Sequence, residues 1–384
     1  MDCPKTKGIE AAVACLPDDA LEGILSRLRA KPLFRFNCVS KAWCGLIADR
    51  LRCRKFPQNL EGFFIGGRGE NFGDFIDLSG RPVPLVDPSF SFLTNSQEIA
   101  KIVLLGSCNG LVLFGHRRVS DNYDTLGYIV CNPATEQWVT VPSSGWTPWE
   151  DSEDEENQDD VQAERLDTYL IFDPAVSPHF QLVQLLSLDL YDLEEVHTFS
   201  SVTGAWRQHE GIHGQAWKQW GSMAMAISVA CAFNGMLHMS IHFHDSNLNM
   251  IVAVDGEGEP FKTMHWPDDS GRVVFFVGQS QGHLHCMSVH TGDLVQMTQL
   301  SIWVLEDYDA EKWLFGRMRC HYLDYDVVAI HPYRGLVFFV EKWNWRLISY
   351  DMDTKEVHAL CTLGHDYHRK NPVCPLFRRG SGAR

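Results

Sequence analysis

The sequence predicts an α+β chain of two parts: a small unit of three helices, then an all-β propeller of six blades. Three observations carry this expectation. Helical periodicity is confined to residues 16–47. From residue 60 onward, short β-rich runs alternate with turn residues. Those runs recur as a repeat, in which a Gly turn opens an apolar strand and a later hairpin usually ends on an aromatic. At 384 residues the chain exceeds the ~100–200 residues of a single domain, so there is room for both parts.

The first helix starts at Pro17, where a missing N–H costs nothing, and Asp18 and Asp19 complement the helix dipole. Leu21, Ile24, Leu25 and Leu28 then fall on one apolar face. A second start at Pro32 leads into Leu33, Phe34, Phe36 and Val39. A third, N-capped by Ser40, sets Trp43, Leu46 and Ile47 on one stripe. Three short helices bury little core, so the unit has an apolar face to give to a partner or to the rest of the chain. Residues 16–56 carry a net charge of +5 and residues 57–384 carry −21, which marks a boundary near Phe56-Pro57. The expected limits are an N-terminal tail over 1–14, the helical unit over 15–56, the propeller over 60–377 and a C-terminal tail over 378–384.

The order of residues in the helical unit is more specific than its periodicity. Leu16-Pro17-Asp18-Asp19-Ala20-Leu21 is followed by Ile24-Leu25-Ser26-Arg27-Leu28 and by Phe34-Arg35-Phe36-Asn37-Cys38-Val39-Ser40-Lys41-Ala42-Trp43. This closely resembles the F-box, whose pattern runs L-P-x-x-hydrophobic, I-L-x-R-L, R-F-x-C-V-S-K-x-W. Arg29 stands where that family usually has Pro, and Pro32 where Ser is common. The resemblance implies docking onto a Skp1-like adaptor, and through it onto a cullin–RING ubiquitin ligase. The residues it assigns to the contact, or to its support, are Leu16, Pro17, Ile24, Leu25, Leu28, Val39, Ser40 and Trp43.

In the β-rich part the Gly turns are Asn109-Gly110, Asn234-Gly235, Gln281-Gly282 and Arg334-Gly335. The hairpins that follow end at Trp138, Trp206, Phe261, Trp313 and Val357, and Phe75–Val83 reads as a weaker sixth copy. About four short strands in roughly 40–50 residues describe a propeller blade. Each blade is expected to bury its aromatic end against its neighbour. A pair of β-sandwiches is the competing arrangement. Gly106–Leu111 with Cys131-Asn132-Pro133-Ala134-Thr135 resembles the kelch-like associated domain of plant F-box proteins. That resemblance implies a substrate-recognition subunit of a Skp1–cullin–F-box ligase, whose propeller holds an unidentified protein substrate for ubiquitination. The alternative is an F-box scaffold or inhibitor acting outside the ligase.

Composition bounds the partners and the compartment. Asp and Glu number 49 against 33 Lys and Arg, a net charge of −16, which disfavours nucleic acid as the main partner. Eight of the eleven residues in Glu150–Asp160 are acidic, and such a run repels itself and reads as a disordered loop. The longest nearly apolar run, Met223–Phe233, is short of the ~20 residues of a spanning helix. The N-terminal apolar run Ala11–Leu16 is brief for a secretory signal. The twelve cysteines contain no C-x-x-C pair, and several (Cys38, Cys131, Cys231) lie in apolar runs, which fits reduced, buried thiols. A soluble protein of the cytoplasm, the nucleus or both is expected.

Few residues invite bond chemistry. His242/His244 and His283/His285 stand at i, i+2, one face of a strand, and each pair has the geometry to chelate. No further ligands stand at a telling spacing, so strand-face histidines are expected and neither a metal nor a cofactor is assigned. A metal-dependent propeller enzyme built on these pairs is a third reading of function. The sequence contains no G-x-S-x-G, H-E-x-x-H or P-loop, and no catalytic residue is assigned. Substrate-binding candidates are Trp146 and Trp149 in one loop and Trp217 and Trp220 in another, since Trp is enriched at interface hot spots. The competing reading packs these rings between blades.

Overall fold

The structure is a computed structural model. It describes residues 20–21, 58–66, 73–78, 86–94, 101–117, 126–146, 165–174, 177–187, 193–210, 225–243, 248–258, 260–265, 272–290, 299–321, 325–332, 334–363 and 373–379. The chain divides into two compact units, Leu60–Phe377 and Met1–Asn59 with Arg378–Arg384. Of the expected helical unit, Ala20 and Leu21 are described; both are helical and Leu21 is buried. The rest of that unit and the acidic run Glu150–Asp160 lie outside the described residues.

The β-rich unit is a six-bladed propeller. It opens with β1 (Gln58–Gly66) and β2 (Gly73–Asp77), followed by a single helical turn, α1 (Ser91–Thr94). Five four-stranded antiparallel sheets come next. Blade 1 is β3 (Lys101–Cys108), β4 (Leu111–Arg117), β5 (Gly127–Asn132) and β6 (Gln137–Val141). Blade 2 is β7 (Arg165–Ile171), β8 (Gln181–Ser187), β9 (Leu193–Ser200) and β10 (Ala205–Glu210). Blade 3 is β11 (Met225–Phe233), β12 (Met236–Phe243), β13 (Leu248–Val254) and β14 (Pro260–His265). Blade 4 is β15 (Arg272–Ser280), β16 (His283–His290), β17 (Gln299–Asp307) and β18 (Lys312–His321). Blade 5 is β19 (Tyr325–Ile330), β20 (Leu336–Glu341), β21 (Arg346–Asp351) and β22 (Val357–Thr362). The last strand, β23 (Val373–Arg379), joins β1 and β2 in a three-stranded sheet ordered β2-β1-β23, so both ends of the β-rich region build the sixth blade. Phe75–Asp77 of the weak sixth copy lies in this sheet.

The inner strands of each blade are buried on both faces, and this explains why they read as continuous apolar runs. Alternate residues of one strand enter different cores. In β4, Val112 and Phe114 pack with Phe64 of β1 and Ile102 of β3, whereas Leu113 packs with Leu170 and Phe199 of blade 2. Further clusters join blades 2 and 3 (Val183 with Met239), 3 and 4 (Phe233 with Trp303) and 4 and 5 (Met287 with Phe339). β1 completes the ring: Phe64 faces blade 1, and its neighbour Phe63 enters the core of blade 5 with Phe338 and Leu347. Radial closure of this kind leaves few strand edges open.

The turns follow from local chemistry. Asn109-Gly110, Asn234-Gly235 and Gln281-Gly282 have positive φ at both positions (48° and 88°, 51° and 74°, 52° and 78°), the two-residue hairpin turn that matches strand twist. Blades 2 and 5 depart from the repeat: their first two strands are joined by residues 172–180 and 331–335, and neither Arg334 nor Gly335 of the expected turn has positive φ. The turn before each outer strand is closed by a short polar side chain. Asn132, Asp255, Asp307 and Asp351 each accept the backbone N–H two residues on through Oδ1, and Ser200 does so through Oγ.

The expected burial of the hairpin-end aromatics needs correction. Trp206 and Trp313 do pack into inter-blade clusters. Trp138, Phe261 and Val357 are 38%, 67% and 54% exposed. They sit on outer strands, where one edge and much of one face meet solvent, so an aromatic there is covered only if the neighbouring blade reaches it.

Candidate functional site

The two ends of the propeller differ. In each four-stranded antiparallel sheet, the turns between strands one and two and between strands three and four lie at one end. The connections between strands two and three, and those between blades, lie at the other. The first end carries the tight turns just described. The second carries the long connections: β6 ends at Val141 and β7 begins at Arg165, and β10 ends at Glu210 and β11 begins at Met225. Both segments expected to bind substrate are strung from that end.

Of the four candidate tryptophans, Trp146 is described; it is half-buried and held in contact with its surroundings, just past a turn in which Ser143 Oγ accepts the Gly145 N–H at 3.2 Å. Trp149, Trp217 and Trp220 lie outside the described residues. So do all the expected adaptor contacts, Leu16, Pro17, Ile24, Leu25, Leu28, Val39, Ser40 and Trp43.

The histidine pairs do not assemble a metal centre among the described residues. His242 lies on β12, with its side chain and all of His244 outside them. His283 Nδ1 stands 3.2 Å from the Leu305 carbonyl, and His285 Nδ1 stands 3.1 Å from the His283 carbonyl. A carbonyl only accepts, so each Nδ1 carries the proton and donates. Burial, with His283 alongside, lowers the pKa of His285 and keeps it neutral. No group of three or more His, Cys, Asp and Glu able to hold a metal forms among the described residues.

The described cysteines are free thiols. Burial raises Cys108, Cys131 and Cys374 to about 12, and Cys231 and Cys286 are also pushed well up. A thiol so placed stays protonated and is a poor nucleophile. Cys108 instead donates to the Phe172 carbonyl at 3.3 Å, beside an Asn109 Nδ2 donation to the same oxygen at 2.6 Å, and the two fasten blade 1 to blade 2.

One apolar opening went unnoticed in the sequence. Between blades 4 and 5, a cavity of about 190 Å³ is walled by Val304, Leu314 and Phe315 on one side and by Tyr350 and Met352 on the other, with Lys355 at its mouth. Leu314 and Phe315 are 46% and 43% exposed, unusual for adjacent large apolar residues on one strand. The only sequence signal was Val357, standing where most other copies of the repeat have an aromatic.

Comparisons with known proteins bear on both parts of the chain. Residues 87–333 match the family described as F-box associated beta propeller domain, and residues 13–55 match the F-box domain. An F-box protein of Arabidopsis thaliana is 24% identical over 294 residues, covering 71% of this chain and 64% of the relative. A second F-box protein of the same plant is 24% identical over 310 residues, covering 78% and 60%. The chain therefore spans less than two thirds of the length of either relative.

Proposed function

The chain belongs to the plant F-box proteins in which an F-box precedes an F-box-associated β-propeller, and from this premise we propose that it is the substrate-recognition subunit of a Skp1–cullin–F-box ubiquitin ligase. The observation that carries the reading is the F-box pattern itself, Leu16-Pro17 through Trp43, on the same chain as a propeller. The F-box docks the adaptor; the propeller holds the substrate. Ubiquitin transfer then becomes effectively intramolecular, and the gain comes from local concentration and orientation. No bond chemistry is asked of the chain, in keeping with a family of generally non-enzymatic adaptors. A cytoplasmic or nuclear location goes with this reading.

The test is co-purification with a Skp1-like adaptor before and after Leu16→Ala plus Pro17→Ala. Binding by the natural chain and at least a ten-fold loss in the double variant are expected. An adaptor that never co-purifies, or that binds the double variant unchanged, overturns the proposal. Ubiquitination of a captured substrate by the reconstituted complex separates a working ligase from a scaffold or inhibitor.

A further inference from the structure

The seams between successive blades are quasi-equivalent, so they can be compared directly. Each brings the outer-strand region of one blade against the last turn of the next or the outer strand that follows that turn. Between blades 1 and 2 an indole fills the space: Trp206 Nε1 donates to the Pro142 carbonyl at 2.7 Å, and its ring lies against Phe199 and Tyr128. Between blades 2 and 3, Arg207 pairs with Glu257. Between blades 3 and 4, Lys262 lies over the Tyr308 ring, 4.7 Å from its centroid, and donates to the Tyr308 carbonyl. Between blades 4 and 5 the corresponding space is the cavity walled by Leu314, Phe315, Tyr350 and Met352.

The reason it stays open can be read from the register. Trp206 pairs with Phe199 and Val357 pairs with Tyr350, so Val357 is the counterpart of Trp206 and Tyr350 that of Phe199. Valine is too short to cover the seam. Lys355 does not cross it either; it donates back to the Met352 carbonyl of its own turn and so holds its ammonium at the mouth. The space therefore has apolar and aromatic walls and one exposed cation among its lining residues.

We propose that this seam is a binding site for one large, electron-rich aromatic side chain, indole or phenol, presented by a partner protein. Its volume matches a single side chain and lies below the roughly 300–1,000 Å³ of small-molecule pockets. The walls supply apolar contact, and Lys355 supplies a cation over the face of the incoming ring. Blade 2 shows the same chemistry satisfied within the chain by Trp206. That the ring comes from a protein rests on the adaptor reading; the affinity of the seam for the ring does not.

The experiment uses the full chain labelled with [methyl-13C]methionine, following Met352 by NMR while N-acetyl-tryptophanamide is added and, separately, N-acetyl-leucinamide. A saturable shift of the Met352 methyl is expected, with the indole binding at least ten-fold more tightly than the aliphatic amide. Val357→Trp, which copies the solution of blade 2, should abolish it. Leu314→Glu, at an exposed position, should abolish it independently if the first variant folds poorly. Lys355→Met should weaken binding about two- to five-fold, as expected for one cation–π contact of roughly 0.5–1 kcal/mol. No shift, equal affinity for the two amides, or binding that survives a folded Val357→Trp or Leu314→Glu variant overturns the proposal. Skp1 co-purification from the same preparation separates the readings: if the adaptor is retained and the shift absent, only this inference falls, and in the opposite case only the adaptor reading does.

Discussion

The seam between blades 1 and 2 and the seam between blades 4 and 5 stand at corresponding places in the repeat and have opposite contents. In the first, Trp206 bridges to Pro142. In the second, Val357 is 54% exposed and a cavity remains. The inner strands of the repeat are fixed by burial on both faces, and a polar residue at any buried position would break the core that position enters. The outer strand is free of that constraint, so its aromatic position can be spent on closing the seam or left for something else. Blade geometry and blade surface are thus set by different residues of the same repeat.

The sharpest way to test this is to empty the closed seam. Trp206→Ala removes an indole packed on Phe199 and Tyr128 and leaves the Pro142 carbonyl without its donor. A loss of about 3 kcal/mol is expected, at the lower edge of what buried Trp→Ala changes cost because Trp206 is only partly buried. Urea denaturation of the full chain measures it. A loss below about 1 kcal/mol would mean that the indole merely decorates the seam.

The seam between blades 3 and 4 adds a pH dependence. His238 is fully buried, stacks edge-on against Phe233 and Tyr308, and its Nε2 lies 2.9 Å from the Tyr308 hydroxyl. Burial lowers its pKa from 6.5 to about 4. The unfolded chain therefore binds this proton at a higher pH than the folded one. The stabilisation is complete above the unfolded pKa and is lost as pH falls from about 6.5 toward 4. From pH 7 to 4.5 the loss attributable to this residue is about 2 kcal/mol. His238→Phe keeps a ring and removes the titration, so the urea midpoint of that variant should fall less over this range than that of the natural chain. Parallel pH profiles would show that the proton is taken up elsewhere.

These seams also mark where the sequence was legible. The inner hairpins were, because a two-residue turn with positive φ at both positions strongly favours Asn-Gly, and that signal stands at 109–110 and 234–235. The register of the repeat stands in the sequence: Asn132, Ser200, Asp255, Asp307 and Asp351 each stand six residues before Trp138, Trp206, Phe261, Trp313 and Val357. The amide-accepting role of those five side chains is local chemistry and belongs to any sequence reading of the repeat. The sixth blade was legible only as the weak copy at Phe75, because β1 and β23 meet across the whole propeller and distant pairing leaves no local mark. The cavity was hidden for a related reason. It is a missing contact between two elements, each of which looks ordinary alone, and Val357 stands out only beside Trp206. The tryptophans at 149, 217 and 220 belong to long connections, where composition says little about geometry.

The seam between blades 2 and 3 supplies the smallest effect and the cleanest control. Arg207 and Glu257 pair across it, but their side chains are 59% and 58% exposed. An ion pair in that setting is screened by salt and must order two long side chains, so it contributes little. Glu257→Gln should change stability by less than about 0.5 kcal/mol, and raising the salt concentration should shrink the difference further. A loss comparable to that of Trp206→Ala would mean that seams are held by whatever crosses them, apolar or charged. The cavity between blades 4 and 5 would then be a weakness in the ring and not a site. A negligible loss would instead show that a charged contact across a seam does little for the ring, and that apolar filling such as Trp206 is what closes one.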